Sequence, residues 1–91
     1  MKKYEVKLRP RAAWQLNDIF EYNCSRTSQA VKKAVLSLNI MPQRGTIRYQ
    51  GKYSVGEYRQ LIVESFIIIY TIYEETMTVE VVAIVNGQSL R

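Results

Sequence analysis

The side chains in this sequence that could carry out chemistry are arginines, lysines and tyrosines. The chain has no histidine and a single cysteine, Cys24. Without histidine, the Ser-His-Asp and Cys-His arrangements of nucleophilic enzymes are excluded. One cysteine builds neither a zinc site nor an internal disulfide, and the scattered glycines form no phosphate-binding or dinucleotide fingerprint. We therefore expect no cofactor, and the remaining functions are Arg, Lys or Tyr chemistry, or binding.

Arg48 and Lys52 are the first candidates for contact with a polyanion. They lie in a glycine-rich stretch, residues 42–56, where cations are interleaved with tyrosines. Basic residues alternating with aromatic ones can hold phosphates and stack bases. No recognised RNA-binding motif is present, however, so a solvated loop anchored to the sheet by its tyrosines is the favoured interpretation.

Arg59 is the second candidate. It is one of only two Lys or Arg residues after residue 53, and it lies inside a run of apolar residues. A cation in a strand either pairs with a carboxylate across the sheet, here Glu57 or Glu80, or faces a polyanion such as nucleic acid. Both interpretations of Arg59 stay open at the level of the sequence.

The element that must position these cations is residues 57–87, which hold almost all of the β-branched and aromatic residues. Polar breaks at Glu64-Ser65 and at residues 74–76 divide the stretch into three runs. Such short breaks suit hairpins and leave no room for a crossover helix, so we predict a three-strand antiparallel meander. Residues 4–8 alternate between apolar and polar and predict a further, N-terminal strand.

Two amphipathic helices are predicted between the first strand and the meander. Apolar residues spaced by three and four indicate a helix from about Pro10 to Cys24. Thr27 or Ser28 is expected to cap a second helix, which ends at Pro42. The predicted fold class is α+β, a single domain of 91 residues in which an antiparallel helix hairpin packs on an antiparallel sheet.

The second face of this sheet needs a cover of its own, because both faces of the two inner strands are largely apolar and a helix hairpin covers only one. A bare apolar patch of several hundred Å² is unusual on a monomer. We therefore predict a surface for a partner or for self-association, unless the glycine-rich loop covers it. The residues of this predicted surface are Ile67, Ile69, Tyr73, Val82 and Ile84.

Charge is divided unevenly along the chain. Residues 1–52 hold eleven Lys or Arg against three Asp or Glu, and residues 53–91 hold two against five. Such a split indicates a polar partner, such as nucleic acid, the ribosome or an acidic protein segment, or else a solvated basic face. No apolar run approaches the roughly 20 residues of a membrane span, and the basic N-terminus has no apolar stretch behind it. A cytoplasmic protein is expected.

Three segments follow the pattern of one known family. The first helix carries an alanine (Ala12 or Ala13) ahead of D-I-x-x-Y at Asp18, Ile19 and Tyr22, the second ends in L-x-x-x-P-x-x-G at Leu38, Pro42 and Gly45, and residues 58–87 follow R-x-L…Y-R-I-x-Y…V-x-I-x-x-V-x-H-G. In this order they resemble the RelE/ParE toxin superfamily of bacterial type II toxin–antitoxin systems. The resemblance covers most of the chain.

Ribonuclease members of that superfamily differ from this sequence at the residues that matter. They cut ribosome-bound mRNA with Arg and Lys on the sheet and near its C-terminal end, often helped by His or Tyr. Here Ile67 replaces the Arg of Y-R-I-x-Y, Asn86 replaces the His, and Gln88 and Ser89 replace later cations. Only Arg59 falls where a family cation is often found. The comparison with the family therefore predicts no efficient mRNA cleavage.

ParE-type members lack the ribonuclease residues and act on DNA gyrase, and they resemble this chain more closely. The resemblance implies a non-enzymatic, plasmid-stabilising toxin that binds gyrase. It also implies a cognate antitoxin with an amphipathic, often acidic segment along the sheet and helices, and a homodimer or toxin–antitoxin heterotetramer. The predicted target-binding residues are Arg59, Asn86, Gln88 and Arg91.

Two alternatives remain within the family. One is a RelE-like ribosome-dependent endoribonuclease, with the ribosome and mRNA as partners and Arg59, Lys52 and Arg48 as catalytic candidates. The other is a degenerate, non-toxic member that survives as a binding or regulatory protein. The sequence favours the gyrase-binding toxin because the family's other catalytic cations are replaced.

Overall fold

A computed structural model describes residues 3–47 and 58–87 as two helices on one face of a five-stranded sheet. The elements in chain order are β1 (Glu5–Leu8), α1 (Pro10–Tyr22), α2 (Ser25–Ser37), β2 (Thr46–Ile47), β3 (Arg59–Val63), β4 (Phe66–Tyr73) and β5 (Thr78–Asn86). A short 3₁₀ turn, Pro42–Arg44, precedes β2. No helix in these described ranges is long and apolar enough to cross a membrane.

The strands lie in the order β1-β5-β4-β3-β2. The predicted meander is confirmed, since β3, β4 and β5 are neighbours and pair antiparallel. The sheet is nevertheless mixed, because β1 pairs parallel to β5. The chain leaves β1 through the helix hairpin and re-enters the sheet at the far edge as β2, so β1 is left beside the last strand.

The helix hairpin covers the face of the sheet that we call the inner face. Helix α1 starts with Pro10 at its first turn, where the missing N–H costs nothing. The core combines buried side chains of both helices with alternate residues of the strands. Its fully or almost fully buried members include Ala12, Ile19, Val31, Val35, Leu38, Ile68, Tyr70, Val79, Val81 and Ile84.

Helix α2 begins at Ser25, earlier than the predicted cap at Thr27 or Ser28, with Cys24 as the residue before its first turn. Ser28 acts from inside the helix, where it is 1% exposed. Its Oγ lies 3.1 Å from the carbonyl oxygens of both Ile19 and Cys24, so the hydroxyl ties α2 to the last turn of α1. A buried hydroxyl with a carbonyl acceptor escapes the cost of unpaired burial.

The C-terminal end of α2 also differs from the prediction. The helix ends at Ser37 and the chain continues through tight turns to Pro42. Leu38 is fully buried, but Met41, which the predicted helix ending at Pro42 would have included, is 60% exposed. Once the helical period stops, residues after Leu38 no longer return to the same face, so the apolar pattern beyond it carries no information about burial.

Candidate functional site

The face of the sheet opposite the helices, the outer face, is the most distinctive surface of the molecule. Cross-strand registers place its central side chains in two rows that run from β3 over β4 to β5. The rows are Ile62–Ile67–Val85 and Gln60–Ile69–Ala83. Neither row contains a charged side chain and Gln60 is the one polar member, so the centre of the outer face offers mainly apolar contact area and no cation to neutralise a phosphate.

Exposure along these rows is graded. Ile62 is 65% exposed, whereas Ile67, Ile69 and Val85 are half-buried. Burying apolar area is worth about 25 cal/mol per Å², and a contiguous exposed apolar patch, unlike a single exposed residue, marks an interaction surface. The predicted surface missed Ile62 and Val85. The alternation of β3 could have revealed Ile62, because Leu61 next to it points to the core.

Ile84 was predicted on the outer face, and that prediction is wrong. Ile84 is 2% exposed and belongs to the core, opposite Ile68. The cause is a register shift in the β4–β5 ladder between Ile69 and Tyr70, where one extra residue of β5 is accommodated. A β-bulge of this kind reverses the sides of all later residues of the strand. Val82, half-buried, lies at the bulge itself.

A polar cluster borders the apolar rows toward β1. Arg9 donates to Glu80 Oε1 from Nε at 2.9 Å and from its terminal nitrogen at 2.8 Å, and Tyr73 donates to the same oxygen at 3.3 Å. The hydrogen bond with Glu80 raises the pKa of Arg9 above its ordinary value. Tyr73, predicted as part of the partner or self-association surface, is 46% exposed at one end of β4. Its hydrogen bond to Glu80 fixes the position of its ring.

Arg59 lies on the other side of the sheet, since it is opposite the buried Tyr70. One terminal nitrogen of its guanidinium donates to two main-chain carbonyls, of Gln43 at 3.2 Å and of Gly45 at 2.9 Å. Of the two carboxylates expected as partners, Glu80 binds Arg9 and Tyr73, and Glu57 lies outside the described residues. Arg59 therefore holds the turn that leads into β2.

Tyr70 holds the same turn from the core. Its hydroxyl donates to the carbonyl oxygen of Pro42 at 2.5 Å and accepts from the N–H of Gly45 at 3.1 Å. Burial raises the pKa of Tyr70 above 10.0, partly opposed by the Gly45 hydrogen bond and by nearby Arg59 and Arg44. The hydroxyl therefore stays protonated and remains a donor at physiological pH. No sequence pattern signalled this role.

Removing the Tyr70 hydroxyl is expected to destabilise the fold. Tyr70→Phe leaves the Pro42 carbonyl and the Gly45 N–H unpaired in a buried place, which costs about 2 kcal/mol of unfolding free energy. Tyr73→Phe is the matched control, because its hydroxyl is at the surface and its loss costs roughly 0.5 kcal/mol or less. Urea unfolding measures both, and equal effects would contradict a buried anchor.

Of the predicted target-binding residues, the structure describes Arg59 and Asn86, and it does not bring these two together. Asn86 is exposed and lies opposite Phe66, four residues along β4 from the partner of Arg59, which is roughly 13 Å. The other predicted target-binding residues and the remaining catalytic candidates lie outside the described residues. These are Arg48, Lys52, Gln88 and Arg91. Within residues 3–47 and 58–87, no three Cys, Asp or Glu side chains converge as a metal site would need.

The comparison with protein families gives one match, which spans almost the whole chain. The family is described as the ParE toxin of the type II toxin–antitoxin system parDE, and the match covers residues 6–90. A comparison of the sequence with curated proteins gives no match.

Solved structures share the fold at low sequence identity. A chain of the toxin–antitoxin complex RelBE2 from Mycobacterium tuberculosis is 19% identical, with a TM-score of 0.71 over 92% of this chain and 98% of that one. The chromosomal ParDE system of P. aeruginosa gives 17% identity, a TM-score of 0.69 and coverages of 92% and 96%. A chain of the archaeal RelE–RelB complex from Pyrococcus horikoshii is 9% identical, with a TM-score of 0.70 over 93% of this chain and 96% of that one. The predicted fold, two helices on a sheet with an N-terminal strand, is confirmed.

Proposed function

Because this chain belongs to the ParE toxin family of type II toxin–antitoxin systems, we propose that it arrests bacterial growth by binding DNA gyrase and is neutralised by a cognate antitoxin. One observation carries the proposal. The centre of the outer face, where ribonuclease relatives have an arginine, is occupied by Ile67 between Ile62 and Val85. An apolar row cannot neutralise the charge that develops on a phosphate during RNA cleavage, but it can bind another protein.

The antitoxin docks on the outer face in this proposal. Two of the structural relatives are described as complexes, RelBE2 and RelE–RelB, so proteins of this fold do assemble with antitoxins. The apolar rows would take the apolar side of an amphipathic segment. Glu5 and Lys7 on the neighbouring strand β1 are both exposed and alternate with the core-facing Val6 and Leu8, so one carboxylate and one ammonium group border the apolar rows on this face.

Four side chains are proposed to contact gyrase. Arg59 and Asn86 are candidates among the described residues, and Gln88 and Arg91 continue the chain beyond them. Since Arg59 also holds the turn at Gln43 and Gly45, an Arg59→Ala variant loses structure as well as charge. Tyr70→Phe loosens the same turn without touching the charge, so it is the control for any effect of Arg59→Ala.

Growth inhibition in cells tests the proposal and separates it from RNA cleavage. Induction in a bacterium without the antitoxin is expected to stop growth, to relax plasmid DNA and to induce the SOS response, while messages stay intact. Co-expression of the antitoxin restores growth. Cleavage within translated codons that Arg59→Ala abolishes would instead indicate the RelE-like ribonuclease. Harmless expression without any antitoxin would contradict both and indicate a non-toxic member. In this proposal the chain acts in the cytoplasm as the toxin of a plasmid-stabilising system.

A further inference from the structure

An open cleft lies on the helix side of the sheet, between α1 and the C-terminal part of β5. Its volume is about 490 Å³. Phe66 and Ile84 lie at its apolar base, and Gln15, Asp18 and Tyr22 line the side formed by α1. Asp18 is the one charged side chain among the described residues that line it. The cleft is thus apolar at its base, polar at its rim and negative in charge.

The cleft exposes an edge of the sheet. Strand β1 pairs with β5 only as far as Leu8 opposite Val81, and in the described part of the chain no strand continues along β5 beyond that point. The N–H of Ile84 turns toward the cleft, where Gln15 Oε1 accepts its hydrogen bond at 2.7 Å. The side-chain carbonyl of Gln15 therefore accepts the hydrogen bond that the main-chain carbonyl of a neighbouring strand would otherwise accept.

A hydrogen bond of this kind is easily exchanged for another. The glutamine side chain is half-buried and flexible, and an incoming main-chain carbonyl would replace its oxygen one for one, so the net cost of displacing Gln15 is small. Peptides that add a strand to an open sheet edge gain their affinity in this way. The edge at Ile84 is therefore suited to an extended segment.

The face of α1 at and beside the cleft specifies the charge of that segment. Trp14, Asp18 and Tyr22 follow each other at intervals of four residues, so they lie along one face of α1, over roughly 12 Å. Asp18 and Tyr22 line the cleft, and Trp14 lies one turn before Asp18. Trp14 is 74% exposed and Tyr22 is 77% exposed. A carboxylate between two exposed aromatic rings attracts a Lys or Arg side chain through both an ion pair and the ring faces.

The acidity of this helix is local. The first 52 residues hold only three acidic side chains, and two of them, Asp18 and Glu21, lie on α1. The rest of that half of the chain is strongly basic. On α1 the two carboxylates outnumber the one cation, Arg11, so this helix attracts a basic segment although most of residues 1–52 are basic.

We propose that this cleft binds a short, extended, basic segment of a partner protein. The segment pairs with β5 at Ile84 in place of Gln15, and one of its Lys or Arg side chains lies on Asp18 between Trp14 and Tyr22. The site is on the helix side of the sheet, whereas the antitoxin in the proposed function occupies the outer face.

Trp14 makes the test direct, because it is the only tryptophan in the chain. Its fluorescence is followed while the full chain is titrated with a capped peptide of alternating valine and arginine. A peptide of alternating valine and glutamate is the control ligand. Saturable change with the arginine peptide and none with the glutamate peptide is expected. Binding of both peptides, or of neither, overturns the proposal.

Two matched variants then test whether the carboxylate of Asp18 attracts the peptide. Asp18→Asn removes the carboxylate in the cleft and is expected to weaken binding of the arginine peptide about fivefold. Glu21→Gln removes the same charge from the same helix, outside the residues that line the cleft, and is expected to change affinity by roughly twofold or less. Both positions are exposed, so neither variant is expected to unfold. Equal losses would mean unspecific attraction to α1 and would overturn the site.

Strand pairing has its own readout in the amide of Ile84. Its resonance in a nitrogen–proton correlation spectrum is expected to shift and its hydrogen exchange to slow further when the arginine peptide saturates the protein. A peptide that binds and leaves the Ile84 amide and the Gln15 side-chain amide unchanged would overturn the pairing with β5.

Discussion

Replacing Ile62 with glutamate is expected to weaken binding of the cognate antitoxin by about 100-fold or more. Ile62 is the most exposed member of the apolar rows, at 65%, and begins the row that continues through Ile67 to Val85. An unpaired carboxylate buried against an apolar segment costs several kcal/mol, and about 100-fold corresponds to roughly 2.7 kcal/mol. The free toxin changes little in stability, because the side chain is largely in water already.

A matched control separates this effect from a general loss of charge complementarity. Ile40, 45% exposed in the turns after α2, lies outside the sheet, and Ile40→Glu adds the same charge there. It is expected to change antitoxin affinity by roughly threefold or less. Isothermal titration of toxin variants with antitoxin gives both values. Equal weakening by the two substitutions, or none by Ile62→Glu, would contradict docking on the outer face.

Gly45→Ala is expected to destabilise the fold by roughly 2–4 kcal/mol and to lower Tm by about 10 °C or more. The backbone of Gly45 has an ordinary extended conformation, so the reason is steric. An added Cβ would lie against the Tyr70 hydroxyl and 2.7 Å from the main-chain carbonyl oxygen of Gln60. The turn can make room only by leaving Tyr70 and Arg59, the two side chains that hold it.

Gly87→Ala provides the comparison within the same chain. A Cβ at Gly87 would lie 3.2 Å from the carbonyl oxygen of Ser65 and 3.3 Å from the tip of Ile67. Shifts of a few tenths of an ångström relieve such contacts, so the expected cost is about 1 kcal/mol or less. Thermal unfolding followed by circular dichroism measures both variants. A Gly45→Ala protein as stable as Gly87→Ala would show that the turn does not depend on this close contact.

The order of elements was predictable because it follows from short-range patterns. The polar breaks at Glu64-Ser65 and at residues 74–76 are the hairpin turns of the structure, and the apolar spacing of α1 places Ala12 and Ile19 in the core as expected. The parallel position of β1 beside β5 had no local signal. It depends on where the helix hairpin returns the chain, which is a property of the whole fold.

The candidate site was predictable in character but not residue by residue. A period of two placed Ile67 and Ile69 on the outer face, and the same period placed Ile84 there wrongly, because a bulge in β5 leaves no mark in the pattern of residue types. The roles of Tyr70 and Arg59 depend on main-chain carbonyls of a turn. Contacts between a side chain and a distant main chain are tertiary, so composition and spacing do not encode them.

We propose from the apolar rows on the outer face that this toxin acts by binding other proteins. The measurement that tests this claim most directly is the supercoiling of relaxed plasmid by purified DNA gyrase and ATP in the presence of this chain. We expect supercoiling to be inhibited at molar excess of the chain and restored when the antitoxin is added. Supercoiling that continues unchanged with the pure, folded protein in excess would contradict the account.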